Sequence, residues 1–115
     1  MSKYLLVAFQ GEEMCFRHVL LNALDFAEQG LAVGIVLEGK ATGLVPAMAA
    51  PDHSLHMLYT KAKTAGLITG VCQACATKMQ AVDAAQAEGL PLLNDMSGHP
   101  SLARFIREGW TIITF

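Results

Sequence analysis

Continuous apolar runs alternate along this chain with segments whose apolar residues recur every three or four positions. Residues 3–9, KYLLVAF, form a short run closed by Gln10 and Gly11, which predicts a buried strand. Next, Phe16, Val19, Leu20, Ala23, Leu24 and Ala27 fall at helical spacing, with His18, Asn22, Asp25 and Gln29 on the opposite face. Glu12 and Glu13 open that helix, where its dipole favours acids, and Gly30 closes it. Residues 31–39, LAVGIVLEG, predict a second buried strand.

Residues 39–51, GKATGLVPAMAAP, are irregular but too apolar for a solvated loop, and are expected to form a lid or an interface arm. Asp52 is expected to cap a helix with Leu55, Leu58, Tyr59, Ala62 and Ala65 on its inner stripe and Gly66 at its end. LITGV (67–71) predicts the third strand, followed by one long helix over residues 72–89. LPLLND (90–95) predicts a short fourth strand, and MSGHP turns the chain. Pro100 suits a first helical position, Leu102, Phe105 and Ile106 make a stripe, and Gly109 stops it. WTIITF (110–115) predicts the last strand. Strict β-α alternation predicts an α/β fold: a three-layer α/β/α domain over residues 1–115 with a five-stranded, mainly parallel sheet. Strand order is not fixed by this pattern.

Composition adds an expectation about assembly. Of the 115 residues, 53% are hydrophobic and only 16% charged. A small domain cannot bury that much apolar surface alone, so a homo-oligomer is expected. A formal net charge of −2 and the lack of any basic run argue against a nucleic-acid partner. No apolar run approaches the length of a membrane span, and the N-terminus does not read as a signal peptide. A cytoplasmic setting is expected, where the three cysteines stay reduced.

Candidate chemistry follows from the strand ends, because ligands bind beyond the carboxyl ends of an open parallel sheet. That rule places Gln10–Glu12, Glu38–Lys40, Cys72 and the stretch from Asn94 to His99 on one rim. Cys72 falls where strand becomes helix, and free amides and the helix dipole there favour a thiolate. Cys75 lies one turn on, aligned with Met79 and Val82 in what reads as a core stripe. Cys15, beside Phe16, reads as packing.

The C-x-x-C pair has three functional readings. A thioredoxin-type redox pair needs a strand-then-helix context, which is present, but also an early strand and a later cis-proline, which do not fit. A structural zinc site needs four ligands, and no second C-x-x-C supplies them. His53 and His56 read as a solvated pair on one helix face, so neither a metal nor a cofactor is expected. The third reading is a single nucleophilic cysteine carrying sulfur as a persulfide, which Cys72 suits. Asp95 and His99 could form an acid–base unit, although Asp95 and Ser97 more naturally satisfy backbone groups in the turn. No P-loop, G-x-G-x-x-G or nucleophile elbow is present.

With Cys72 at the end of a middle strand, the chain resembles the DsrE/DsrF-like (YchN-like) sulfur-relay family. The elements that match are KYLLVAF, GVCQACA at a strand-to-helix junction, the helix before EGLPLLND, and the closing GWTIITF. The resemblance implies a three-layer α/β/α fold, trimers or hexamers, and cytoplasmic sulfur trafficking with donor and acceptor proteins. It implies that Cys72 carries persulfide sulfur, as in a sulfurtransferase. Cys75 departs from the common family pattern and could resolve that persulfide. Glu38, Asn94 and His99 are candidates for lining the substrate pocket. The alternatives are a thiol–disulfide oxidoreductase using Cys72 and Cys75, and a non-enzymatic oligomer that binds a small ligand or protein.

Overall fold

The central strands are apolar without alternation, so both faces of each can be buried. Leu5 to Val7 and Ile35 to Val36 have no exposed surface. The computed structural model describes residues 2–115, and it bears out the α/β class. The chain runs through β1 (Lys3–Ala8), α1 (Glu13–Glu28), β2 (Ala32–Leu37), α2 (Leu44–Ala49) and α3 (His56–Thr64). It continues through β3 (Ile68–Cys72), α4 (Gln73–Lys78), α5 (Val82–Ala87), β4 (Leu92–Leu93), α6 (Leu102–Arg107) and β5 (Trp110–Thr114). All pairings are parallel, in the order β4-β3-β2-β1-β5.

This order explains the unequal layers. Parallel crossovers are right-handed, so successive steps in one direction put their helices on one face. The steps β1 to β2, β2 to β3 and β3 to β4 all move the same way. Their helices pack together in the larger core, where Leu20, Tyr59 and Ala85 meet Leu6, Ile35 and Val71. The return from β4 to β5 crosses the opposite face. Only α6 lies there, with Phe105 against Leu5, Val7 and Val36.

Five local expectations are corrected. Residues 39–51 are not a lid or arm. Gly39–Gly43 forms a 3-10 turn that leads into α2, and Ala41, Thr42, Leu44, Val45 and Met48 are buried. The apolar content of this segment belongs to the core. Pro46 sits in the first turn of α2, where a missing N–H is harmless.

Asp52 does not cap α3, which starts four residues later at His56. The His53 ring instead accepts the Leu55 N–H at 3.1 Å, while His56 Nδ1 lies 2.8 Å from the Met48 carbonyl. Neither histidine is freely solvated: His53 also meets Glu13 at 3.2 Å. Pro100 lies just outside α6, and Ser101 is the cap, its hydroxyl accepting the Arg104 N–H at 3.2 Å.

The helix expected over 72–89 is two helices. At the break Gln80 has φ 57, and the Ala81 N–H reaches back to the Ala76 carbonyl at 2.8 Å. That is a left-handed helix stop made without glycine, so no residue type in the sequence signals it. Among the described residues, no helix is long and apolar enough to cross a membrane.

Candidate functional site

Adjacent strands whose following segments leave to opposite faces open a crevice between their carboxyl ends. β3 and β4 are such a pair: α4 packs on the larger core and α6 on the smaller one. Cys72 is the last residue of β3 and the cap of α4. Its sulfur accepts the Cys75 N–H at 3.5 Å. The chain after β4 returns towards it through a tight turn. Ser97 and Gly98 have φ of 51° and 89°, and Met96 and His99 exchange backbone hydrogen bonds of 2.7 and 2.9 Å. Two successive positive φ values make a type I′ geometry, which favours glycine. Gly98 is needed for a second reason: a Cβ there would stand 3.3 Å from that of Ala74. This close approach lets the Ala74 N–H donate to the Gly98 carbonyl at 2.9 Å, fixing the turn to the first turn of α4.

The outcome is a shared imidazole. His99 Nδ1 lies 3.2 Å from Cys72 Sγ and 3.8 Å from Cys75 Sγ. Glu38, just beyond β2, completes the cluster. One ligand-type atom from each of Glu38, Cys72, Cys75 and His99 lies within 4.8 Å of all the others. Glu38 and Cys72 are buried, whereas Cys75 and His99 are partly accessible. Cys75 lines a cavity of about 230 Å³ with Gly39, Lys40, Lys78 and Met79. Lys40 and Met79 also border a neighbouring cavity of about 400 Å³ that reaches Gln10, Gly11 and Glu12 at the end of β1.

Burial dominates the electrostatics of Cys72 and Glu38. Burial pushes the Cys72 thiol up to about 12. The Cys75 N–H pulls it down, while the Cys75 thiol and the Glu38 carboxylate add to the rise. Burial also raises the Glu38 carboxyl, against the pull of His99. The helix amide therefore acts on Cys72 as the sequence implied, but desolvation outweighs it.

No family model matches the chain. It is 33% identical over 96 residues to the uncharacterized protein MJ0733 of Methanocaldococcus jannaschii, covering 84% of this chain and 76% of that one. The chain belongs to the family of that protein. It also resembles a conserved protein of unknown function, BT1422, from Bacteroides thetaiotaomicron. That structure matches with a TM-score of 0.72 over 98% of this chain and 95% of the other. At 17% identity the likeness shows the common fold.

Of the residues expected on the rim, the fold unites Glu38, Cys72 and His99, adds Cys75 to them, and leaves Asn94 apart. Asn94 is exposed and donates to Gln73 Oε1 at 2.7 Å. Asp95 does not pair with His99. Its carboxylate accepts the Ser101 N–H at 3.0 Å and meets Arg104 Nε at 2.8 Å, and the Ser101 N–H leads the contacts that hold its carboxyl below the usual range. The two cysteines exchange their expected surroundings: Cys72 is the buried one and Cys75 faces the cavity. The alignment of Cys75 with Met79 is real, but it marks the cavity wall and not a core stripe. Met79 is 39% exposed because the helix ends at Gln80. Lys78 was not singled out from sequence, and Lys40 and Met79 were named there only as a rim residue and a stripe residue. The i, i+4 spacing of Cys75 and Met79 was the available signal.

Cys75 should therefore be alkylated well before Cys72 in the reduced protein. Because the folded Cys72 thiol keeps its proton past the usual cysteine range, its labelling should accelerate only as pH rises towards 12. Peptide mapping after timed alkylation measures this, and Cys72 labelling first at neutral pH would contradict it.

Proposed function

We propose that the protein is a sulfane-sulfur carrier of the sulfur-relay type, with DsrE/DsrF-like chemistry at the Cys72–Cys75 pair. The observation that carries this reading is the His99 Nδ1 shared by both thiols beside an open cavity. Exposure favours Cys75 as the thiol that meets an external donor, in place of Cys72. A persulfide donor, R–S–SH, suits the accessible thiol. Cys75 passes its proton to His99 and attacks the outer sulfur. The donor S–S bond breaks, Cys75 becomes a persulfide, and the departing thiolate takes the proton back from His99. Cys72 can then attack the inner sulfur of that persulfide. A Cys72–Cys75 disulfide forms and the sulfane sulfur leaves, reduced to sulfide. Transfer of the outer sulfur to an acceptor thiol instead returns both cysteines to the reduced state.

The second reading, a thiol–disulfide oxidoreductase, is favoured by the same proximity, since both sulfurs belong to the cluster spanning 4.8 Å. A cytoplasmic setting suits either role, because all three cysteines are free thiols. Both readings leave donor and acceptor proteins as the partners.

Intact mass after exposure of the reduced protein to a persulfide donor tests the proposal. A gain of one sulfur is expected, kept and prolonged in Cys72→Ser and lost in Cys75→Ser. No gain in the wild type, or a gain unaffected by Cys75→Ser, would overturn it. We also propose assembly into a trimer or hexamer, supported by Met14, Met57 and Ile106, which are 74%, 75% and 61% exposed. Light scattering on the purified chain should give three or six times the 12.3 kDa chain mass, and a monomer would contradict it.

A further inference from the structure

We infer that Glu38, Cys72, Cys75 and His99 form a tetrahedral binding site for a thiophilic divalent cation, zinc being the fitting ion. The donor set has two sulfurs, one imidazole nitrogen and one carboxylate, all within 4.8 Å of one another. Zinc bonds of about 2.0–2.3 Å place tetrahedral ligand atoms roughly 3.3–3.8 Å apart. The two sulfur-to-Nδ1 distances, 3.2 and 3.8 Å, already match that scale. Small side-chain adjustments close the remainder.

The four ligands come from three segments, each held by its own backbone. Glu38 follows β2, and its N–H donates to the Ala8 carbonyl at 2.8 Å. Cys72 and Cys75 span the strand-to-helix junction, and His99 is carried by the turn fastened to Ala74. The site is therefore assembled before an ion arrives, and little ordering is left for binding to pay. Glu38 is only 8% exposed, yet no lysine or arginine pairs with it among the described residues. Burial penalises the charged form of this carboxyl, and a divalent ion beside it compensates that charge as the carboxylate binds. On binding, zinc displaces the proton of each thiol to solvent and bonds to the two thiolates; no electrons move. The second C-x-x-C that a sequence search looks for is replaced by Glu38 and His99, which lie far away in the chain. Cys75, at the cavity, gives the ion its route in. This inference does not rest on sulfur transfer, although a bound ion would occupy the same thiols and hold them unreactive.

The test is titration of reduced, chelator-treated full-length protein with Zn²⁺ against a chromophoric chelator. One ion per chain is expected, with affinity lowered at least roughly 10- to 100-fold in Cys72→Ser, Cys75→Ser and His99→Ala. Circular dichroism of each variant establishes that it is folded. A measurement on the wild type needs no variant: Zn²⁺ should protect Cys72 and Cys75 from alkylation while Cys15 stays reactive. Stoichiometric binding with that protection pattern supports the site. Absence of stoichiometric binding, or binding that leaves Cys72 and Cys75 as reactive as before, overturns it. The persulfide assay run in excess chelator separates the two ideas. Persulfide without zinc binding rejects only the metal site, and zinc binding without persulfide rejects only the carrier.

Discussion

Parallel pairing of β2, β3 and β4 is the constraint on which the rest of this structure depends. Parallel strands bring all their carboxyl ends to one edge, so residues far apart in sequence meet there. Glu38 follows β2, Cys72 ends β3 and His99 follows β4, and the order β4-β3-β2 makes the three strands neighbours. The same order sends the chain after β3 to one face and the chain after β4 to the other. That divergence leaves space between them. A different order would keep every helix and still scatter the site.

The burial that stabilises this edge also sets its chemistry. Cys72 lies under the sheet edge with no exposed surface, and Glu38 is nearly as enclosed. Desolvation favours the neutral forms of both, and an incoming reactant must overcome that preference. A persulfide donor reaching Cys75 and a divalent cation reaching all four groups are the two such reactants we propose. In those proposals His99 is the proton acceptor for a thiol in the first case and a ligand in the second.

Much of the fold was legible because its strands are continuous apolar runs and its longest helix carries a clear stripe. Phe16, Val19, Leu20 and Ala23, expected inside, are all buried. What failed was punctuation. Gln80 ends a helix in a left-handed conformation that sequence assigns first to glycine, and no side chain caps α3 where Asp52 was expected to do so. The rim was legible as a list but not as a map. Glu38, Cys72 and His99 came from strand-end reasoning and Cys75 from the C-x-x-C pair, yet nothing in the spacing joined them or set Asn94 aside. The burial of Cys72 beneath Cys75 was hidden for the same reason. Strand order and the Met96–His99 turn decide it, and both depend on contacts between distant segments.

The central claim is that one imidazole serves both thiols. The nitrogen resonance of His99 Nδ1, followed by heteronuclear NMR in the reduced protein, tests it most directly. The account predicts that Cys72→Ser and Cys75→Ser each shift that resonance, the former more strongly because its sulfur is closer. A His99 Nδ1 resonance that neither substitution moves would contradict it.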